Sequence, residues 1–217
     1  MRIFICGDST AACYQAAETQ MAGWGQMLPE FLPDAQVFNH AMAGRSTKTF
    51  LAEGRLQRLD GQLGRGDLLL IQFGHNDEGD KPERHTDPET EFQDNLKKFI
   101  RFAEKREALP VLLTPICIRL WENGKLQPSH GAYLEAIRLV AREQRIPLIE
   151  MYEESRRIVS EAGEEGSKAL YMQIPPGEDP RYPEGVQDNT HTRLAAARPF
   201  AAFAAAELRR IAESSRC

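Results

Sequence analysis

No stretch of the chain approaches the roughly 20 consecutive apolar residues of a helical membrane span, so no membrane partner is expected. No basic stripe interleaved with aromatics appears either. With a formal net charge of -5 and a pI near 5.6, that lack argues against a nucleic-acid partner. Lys97-Lys98 and Arg209-Arg210 are isolated basic pairs and read as solvated helix faces. Cysteine is scarce: Cys6, Cys13, Cys117 and Cys217 are scattered and show no metal-ligand spacing. Free thiols in a reducing compartment are the simplest reading. The first apolar stretch, Ile3-Phe4-Ile5-Cys6, is too short for a signal peptide and reads as a first strand. These absences together lead to the expectation of a cytoplasmic protein. Internal repeats and low-complexity blocks are missing too. The 217 residues are enough for one α/β domain, expected to span residues 1–217.

What is present is alternation. Apolar runs at Ile3 to Cys6, Gln36 to Asn39, Leu68 to Phe73, Val111 to Pro115 and Pro147 to Glu150 are separated by helical patterns. The expected helices run from Trp24 to Phe31, Thr47 to Leu59, Glu89 to Arg106, Ser129 to Gln144, Met151 to Ala162 and Leu194 to Ala212. Pro199 falls in the first turns of the last helix, where its missing N–H does little harm, or it delays the helix start. Strands alternating with helices imply βαβ units and a parallel sheet covered on both faces.

Ligands in such sheets bind beyond the carboxyl ends of the strands. Three short blocks lie there. Gly7-Asp8-Ser9-Thr10 follows the first strand, Asn39-His40-Ala41-Met42-Ala43-Gly44-Arg45-Ser46 the second, and Gly74-His75-Asn76-Asp77 the third. Near the other end stands Asp188-Asn189-Thr190-His191. A serine hydroxyl is a poor nucleophile until a base takes its proton, and the usual base is a histidine oriented by a carboxylate. Ser9, His191 and Asp188 supply those roles. The backbone N–H groups of Ser9 and Gly44 and the side-chain amide of Asn76 supply donors for an oxyanion.

Each residue also has a plainer reading. Ser9 alone would be a helix cap, Gly44 a turn glycine, and Asn76 an Asx-turn residue. Asp8 reads as an anchor of the turn. His75 either packs under the site or touches substrate. His40 is expected to be structural, His85 and His130 solvated, and Trp24 a core residue. Trp121, in a loop with Asn123-Gly124, stacks on a sugar or packs its own loop. Arg45, Lys48 and Arg119 pair with substrate carboxylates or form surface ion pairs. Met42, Met172 and Ala195-Ala196-Ala197 read as core or helix material, and Cys6 and Cys13 as buried, inert thiols. The segments Glu78 to Pro88, Ile118 to Pro128 and Gln173 to Gln187 read as loops that shape substrate choice.

The four blocks, in order and spacing, resemble the SGNH (GDSL-type) hydrolase superfamily. Gly23-Trp24-Gly25-Gln26, Gly44 to Phe50, Phe73 to Asp77 and Tyr182-Pro183-Glu184-Gly185 narrow the resemblance to the rhamnogalacturonan acetylesterase family. Thr10 stands where the superfamily's namesake motif has leucine, a change that the acetylesterase branch tolerates. The resemblance implies a three-layer α/β/α fold with a central, mostly parallel five-stranded sheet of flavodoxin-like type. It implies removal of acetyl groups from pectin-derived oligosaccharides through an acetyl-serine, with no metal or organic cofactor. Substrate-binding roles fall to His75, Arg45 and Trp121. Three rivals stay open: an esterase or thioesterase for acyl lipids or for other acetylated sugars such as xylan, an inactive binding module, and a metal hydrolase built on His75, Asp77, Asp188 and His191. No metal-binding spacing supports the last.

Overall fold

Ile3-Phe4-Ile5-Cys6 offers apolar side chains to both sides of a pleat, so a strand there needs cover on both faces. In the structure, a computed structural model that describes residues 1–214, the cover comes from two helical layers. Cys217 lies outside the described residues. The chain runs β1 (Arg2–Gly7), α1 (Trp24–Phe31), β2 (Gln36–Asn39), α2 (Thr47–Ala52), β3 (Leu68–Gln72), α3 (Glu91–Glu104) and β4 (Leu109–Leu113). It continues through β5 (Trp121–Glu122), β6 (Lys125–Leu126), α4 (Gly131–Gln144), β7 (Leu148–Ile149) and α5 (Met151–Gly166). It ends in β8 (Tyr171–Ile174), β9 (Val186–Thr192) and α6 (Leu194–Ser214). Among the described residues no helix is long and apolar enough to cross a membrane.

Five strands form one parallel sheet in the order β2-β1-β3-β4-β7. Alternation along each strand sorts its side chains between two cores. Ile3, Ile5, Leu68, Leu70, Val111, Leu113 and Ile149 face α1 and α6, where Trp24, Leu28, Phe200 and Leu208 fill the space. Phe4, Cys6, Leu69, Ile71 and Leu112 face α2, α3 and α4, against Phe50, Phe99, Ile137 and Val140. The alanines Ala196, Ala197, Ala201, Ala204 and Ala205 of α6 are buried in the first core. The fold is therefore the three-layer α/β/α arrangement expected.

Several boundaries differ from expectation, each for a local reason. The helix expected from Thr47 to Leu59 stops at Ala52, and a separate 3-10 turn covers Gln57–Leu59. Gly54 at φ +65° is left-handed, a conformation that glycine adopts without a Cβ clash and that ends helices. Pro199 does not delay α6, which begins at Leu194. The acceptor that Pro199 leaves unbonded is the carbonyl of Ala195, an exposed residue that water can reach. Met42 is exposed rather than core, and Cys13 is exposed rather than buried. Cys6 is buried, and burial holds its thiol well above the ordinary range.

Beside the main sheet stand two antiparallel ribbons, β5-β6 and β8-β9, and the larger omission is β8-β9. Gln173 to Gln187 was expected as a loop, yet β8 and β9 pair at its two ends, with Tyr171 opposite Thr192 and Ile174 opposite Val186. After Val186 the segment Gln187-Asp188-Asn189-Thr190-His191-Thr192 is polar throughout and carries no apolar alternation to reveal a strand.

Candidate active site

β1 ends at Gly7, and the chain turns there through Asp8, Ser9 and Thr10. Asp8 Oδ1 accepts the Thr10 N–H at 2.9 Å and its hydroxyl at 2.8 Å, which makes Asp8 the anchor expected. Gln72 Oε1 on β3 accepts the indole N–H of Trp24 and lies 3.2 Å from Thr10 Oγ1. The Tyr14 hydroxyl donates to the Ser9 carbonyl at 2.8 Å. Ser9 is thus fixed over the end of the sheet, with 5% of its surface exposed.

His191 reaches it from β9. Ser9 Oγ lies 2.9 Å from His191 Nε2, and His191 Nδ1–H donates to Asp188 Oδ2 at 2.6 Å. Residues three apart on a regular strand face opposite sides. Asp188 removes that obstacle itself. Its Oδ1 accepts the N–H groups of Thr190 at 2.8 Å and His191 at 3.0 Å, which curls the strand and brings the two side chains together. Burial alone would raise the Asp188 pKa; the His191 side-chain bond and those two backbone bonds outweigh it and hold it at about 2.

β9 is held from behind by a residue with a different expected role. Arg119 is buried; its N–H groups go to Ser167 Oγ, the Glu164 carbonyl and Asn189 Oδ1, and its backbone N–H to the Asn189 carbonyl. It is a clamp on the strand between Asp188 and His191 and has no free edge for a substrate carboxylate.

The second and third blocks meet beside Ser9. Gly44 has φ +74°, and its positive value favours glycine. Among the described residues neither the Ser9 nor the Gly44 backbone N–H donates to another protein group. Asn76 Nδ2 donates one hydrogen to the Arg45 carbonyl at 3.2 Å and keeps the other. Buried Asp77 ties the two blocks: it accepts the Thr47 N–H at 3.0 Å and the Thr47 hydroxyl at 2.5 Å. Burial pushes the Asp77 pKa up to about 7 despite those bonds.

The three side chains assigned to substrate are each engaged by protein groups. His75, expected either to pack under the site or to touch substrate, is packed: its side chain is 3% exposed, and Nδ1–H donates to Asp8 Oδ2 at 3.2 Å. Burial works against its charge, and the Asp8 carboxylate more than restores it, so its pKa lies above the ordinary value. Arg45 is engaged by Glu53 and by the Ala43 carbonyl. Trp121 packs in a small core with Tyr152 and Tyr171, and its indole N–H donates to Ser167 Oγ at 3.1 Å. Lys48 pairs with Glu91. His130, expected in solvent, is buried against His75 with ring centroids 4.5 Å apart, and it bonds Glu78 at 2.7 Å and the Ile116 carbonyl at 2.8 Å. Nothing local marks it, because both partners come from distant segments. Among the described residues no group of three or more His, Cys, Asp or Glu side chains converges on a metal position.

Comparison with known proteins gives the lineage. The model of the GDSL-like lipase/acylhydrolase family matches residues 5–173. The rhamnogalacturonan acetylesterase RhgT of Bacillus subtilis (strain 168) is 40% identical over 193 residues, covering 88% of this chain and 82% of its own. The probable rhamnogalacturonan acetylesterase YesY of the same organism is 38% identical, over 87% and 83%. The crystal structure of YxiM from Bacillus subtilis superposes with a TM-score of 0.80 at 28% identity. That match covers 96% of this chain, which spans little more than half, 56%, of the YxiM chain. The chain belongs to the GDSL-like lipase/acylhydrolase family, and so to the ester hydrolases.

Proposed function

We propose that the protein removes acetyl groups from pectin-derived, rhamnogalacturonan-type oligosaccharides. The observation that carries the substrate class is the 40% identity with RhgT along 82% of that enzyme. The chemistry rests on Ser9, His191 and Asp188 and runs within the single unit formed by residues 1–217. Ser9 Oγ attacks the acetyl carbon as His191 Nε2 takes its proton. Asp188 holds the imidazole in the accepting tautomer. The oxyanion is held by the N–H groups of Ser9 and Gly44 and by the remaining N–H of Asn76. His191 returns the proton to the departing sugar oxygen, and water repeats the cycle on the acetyl-enzyme.

A cavity of about 490 Å³ lies beside Tyr14, whose hydroxyl meets the Ser9 carbonyl, and its walls mix the polar Thr19, Gln20, Gln26, Arg181 and Arg193 with Met21, Leu194 and alanines. The triad is common to ester hydrolysis, so acyl preference must come from the walls. Each methylene in excess of the pocket alters selectivity by about 1–3 kcal/mol. p-Nitrophenyl acetate is therefore cleaved at least roughly a hundredfold faster than the octanoate ester. The check is kcat/KM over the acetate, butyrate and octanoate series, together with acetate release from acetylated pectic, xylan and chitin oligosaccharides. A maximum at octanoate replaces this reading with a lipid esterase.

The rate should also fall on acidification. Asp188, held at about 2, stays ionised throughout ordinary working pH, so the fall does not come from its protonation. Only a neutral imidazole accepts the Ser9 proton, so protonated His191 cannot start the reaction. A kcat/KM profile flat between about pH 4 and 8 would count against a histidine base.

A further inference from the structure

The inference rests on the assignment of Asn76 and Gly44 to the oxyanion hole. Both lie against a side chain with no role so far. Arg84 Nη1 donates to Asn76 Oδ1 at 3.3 Å. The carbon and both terminal nitrogens of its guanidinium are each 3.4 Å from the point where a Cβ on Gly44 would stand, so its flat face covers that glycine. Its basic neighbours Arg45 and Lys48 are neutralised by Glu53 and Glu91. Among the described residues Arg84 forms no ion pair.

The two bonds at Asn76 determine which way its amide points. Oδ1 faces a guanidinium, which can only donate, and Nδ2 faces the Arg45 carbonyl, which can only accept. Rotating the amide by half a turn would set donor against donor and acceptor against acceptor. The arrangement therefore holds one Nδ2 hydrogen free on a fixed side. A preorganised donor costs no reorganisation when charge develops in the transition state.

The Arg84 backbone is well placed to hold that orientation. Two residues on, buried Thr86 donates its N–H to the Asp77 carbonyl at 3.1 Å and its hydroxyl to Asp77 Oδ1 at 3.0 Å. The Thr86 carbonyl accepts the Tyr133 hydroxyl at 2.5 Å. The Arg84 N–H itself donates to the Lys81 carbonyl at 2.9 Å. The loop from Glu78 to Pro88 is pinned to the block that carries Asn76.

We infer that Arg84 is a positioning residue of the oxyanion hole, locking the Asn76 amide with its N–H toward the reacting carbonyl. The test is a double-mutant cycle at saturating p-nitrophenyl acetate with wild type, Arg84→Met, Asn76→Ala and the double variant. Methionine keeps length and removes both charge and donors. Misplacing a reacting geometry by about 1 Å costs up to roughly a hundredfold. Arg84→Met should lower kcat by roughly ten- to hundredfold with KM changed less than about twofold. In the Asn76→Ala background the same substitution should cost less than about twofold, because the group it orients is gone. Unchanged kcat in Arg84→Met overturns the inference. Equal losses in the two backgrounds also overturn it, since they mean a general structural role. An impaired Asn76→Ala beside an unimpaired Arg84→Met rejects the inference alone. A fully active Asn76→Ala rejects the oxyanion-hole assignment and the inference with it.

Discussion

Ser9→Ala should abolish ester hydrolysis, with kcat falling on the order of a millionfold while the fold is unchanged. The hydroxyl is the only group lost, and among the described residues its one protein partner is His191 Nε2 at 2.9 Å. The backbone of the turn is held independently, by Asp8, Tyr14 and Gln72 acting on groups other than Ser9 Oγ. His191→Ala should cost about as much, and the double variant little more, because the two act as one proton-transfer unit whose losses do not add. The measurement is kcat on p-nitrophenyl acetate beside the circular dichroism spectrum and Tm. Turnover within tenfold of wild type in either single variant removes the serine mechanism.

Asp188→Asn carries the second large effect, a loss of roughly 10⁴ in kcat. The substitution separates two tasks that one carboxylate performs. Asparagine Oδ1 still accepts the Thr190 and His191 N–H groups, so the curl in β9 survives. Its NH₂, however, replaces the acceptor that meets His191 Nδ1 at 2.6 Å. A donor there requires Nδ1 to accept, which places the imidazole proton on Nε2, opposite Ser9. The ring then cannot take the serine proton. Asp188→Ala removes both tasks and should lower Tm as well as kcat, whereas Asp188→Asn should leave Tm near wild type. An asparagine variant with near wild-type kcat would show that Asp188 only shapes the strand.

Ser9, Gly44 and Asn76 were legible because each follows an apolar run, and the ends of parallel strands gather on one edge whatever the loops do. The two cores were legible for the same reason: Ile3 and Phe4, or Leu68 and Leu69, divide by simple alternation. β9 was not legible, because its strand state is imposed by pairing with β8 and by the Arg119 clamp rather than by its own apolar pattern. The misplaced expectations share a cause. Arg119 and His130 are polar types whose usual place is the surface, and each is buried by partners 14 to 70 residues away in the chain.

By itself the sequence determined the order of the parallel strands and of the helices between them, the sorting of apolar side chains to two faces, and the short blocks that carry the proposed nucleophile, base, acid and oxyanion donors. All of these depend on periodicity and on short blocks that carry their own chemistry. The tertiary structure alone decided the curl that joins Asp188 to His191, the burial of His75 beneath Ser9, and the seating of Arg84 on Gly44 and Asn76. Each of these needs a polar group to find its partner across the fold, and a hydrogen-bonding side chain looks the same in sequence whether that partner is protein or water.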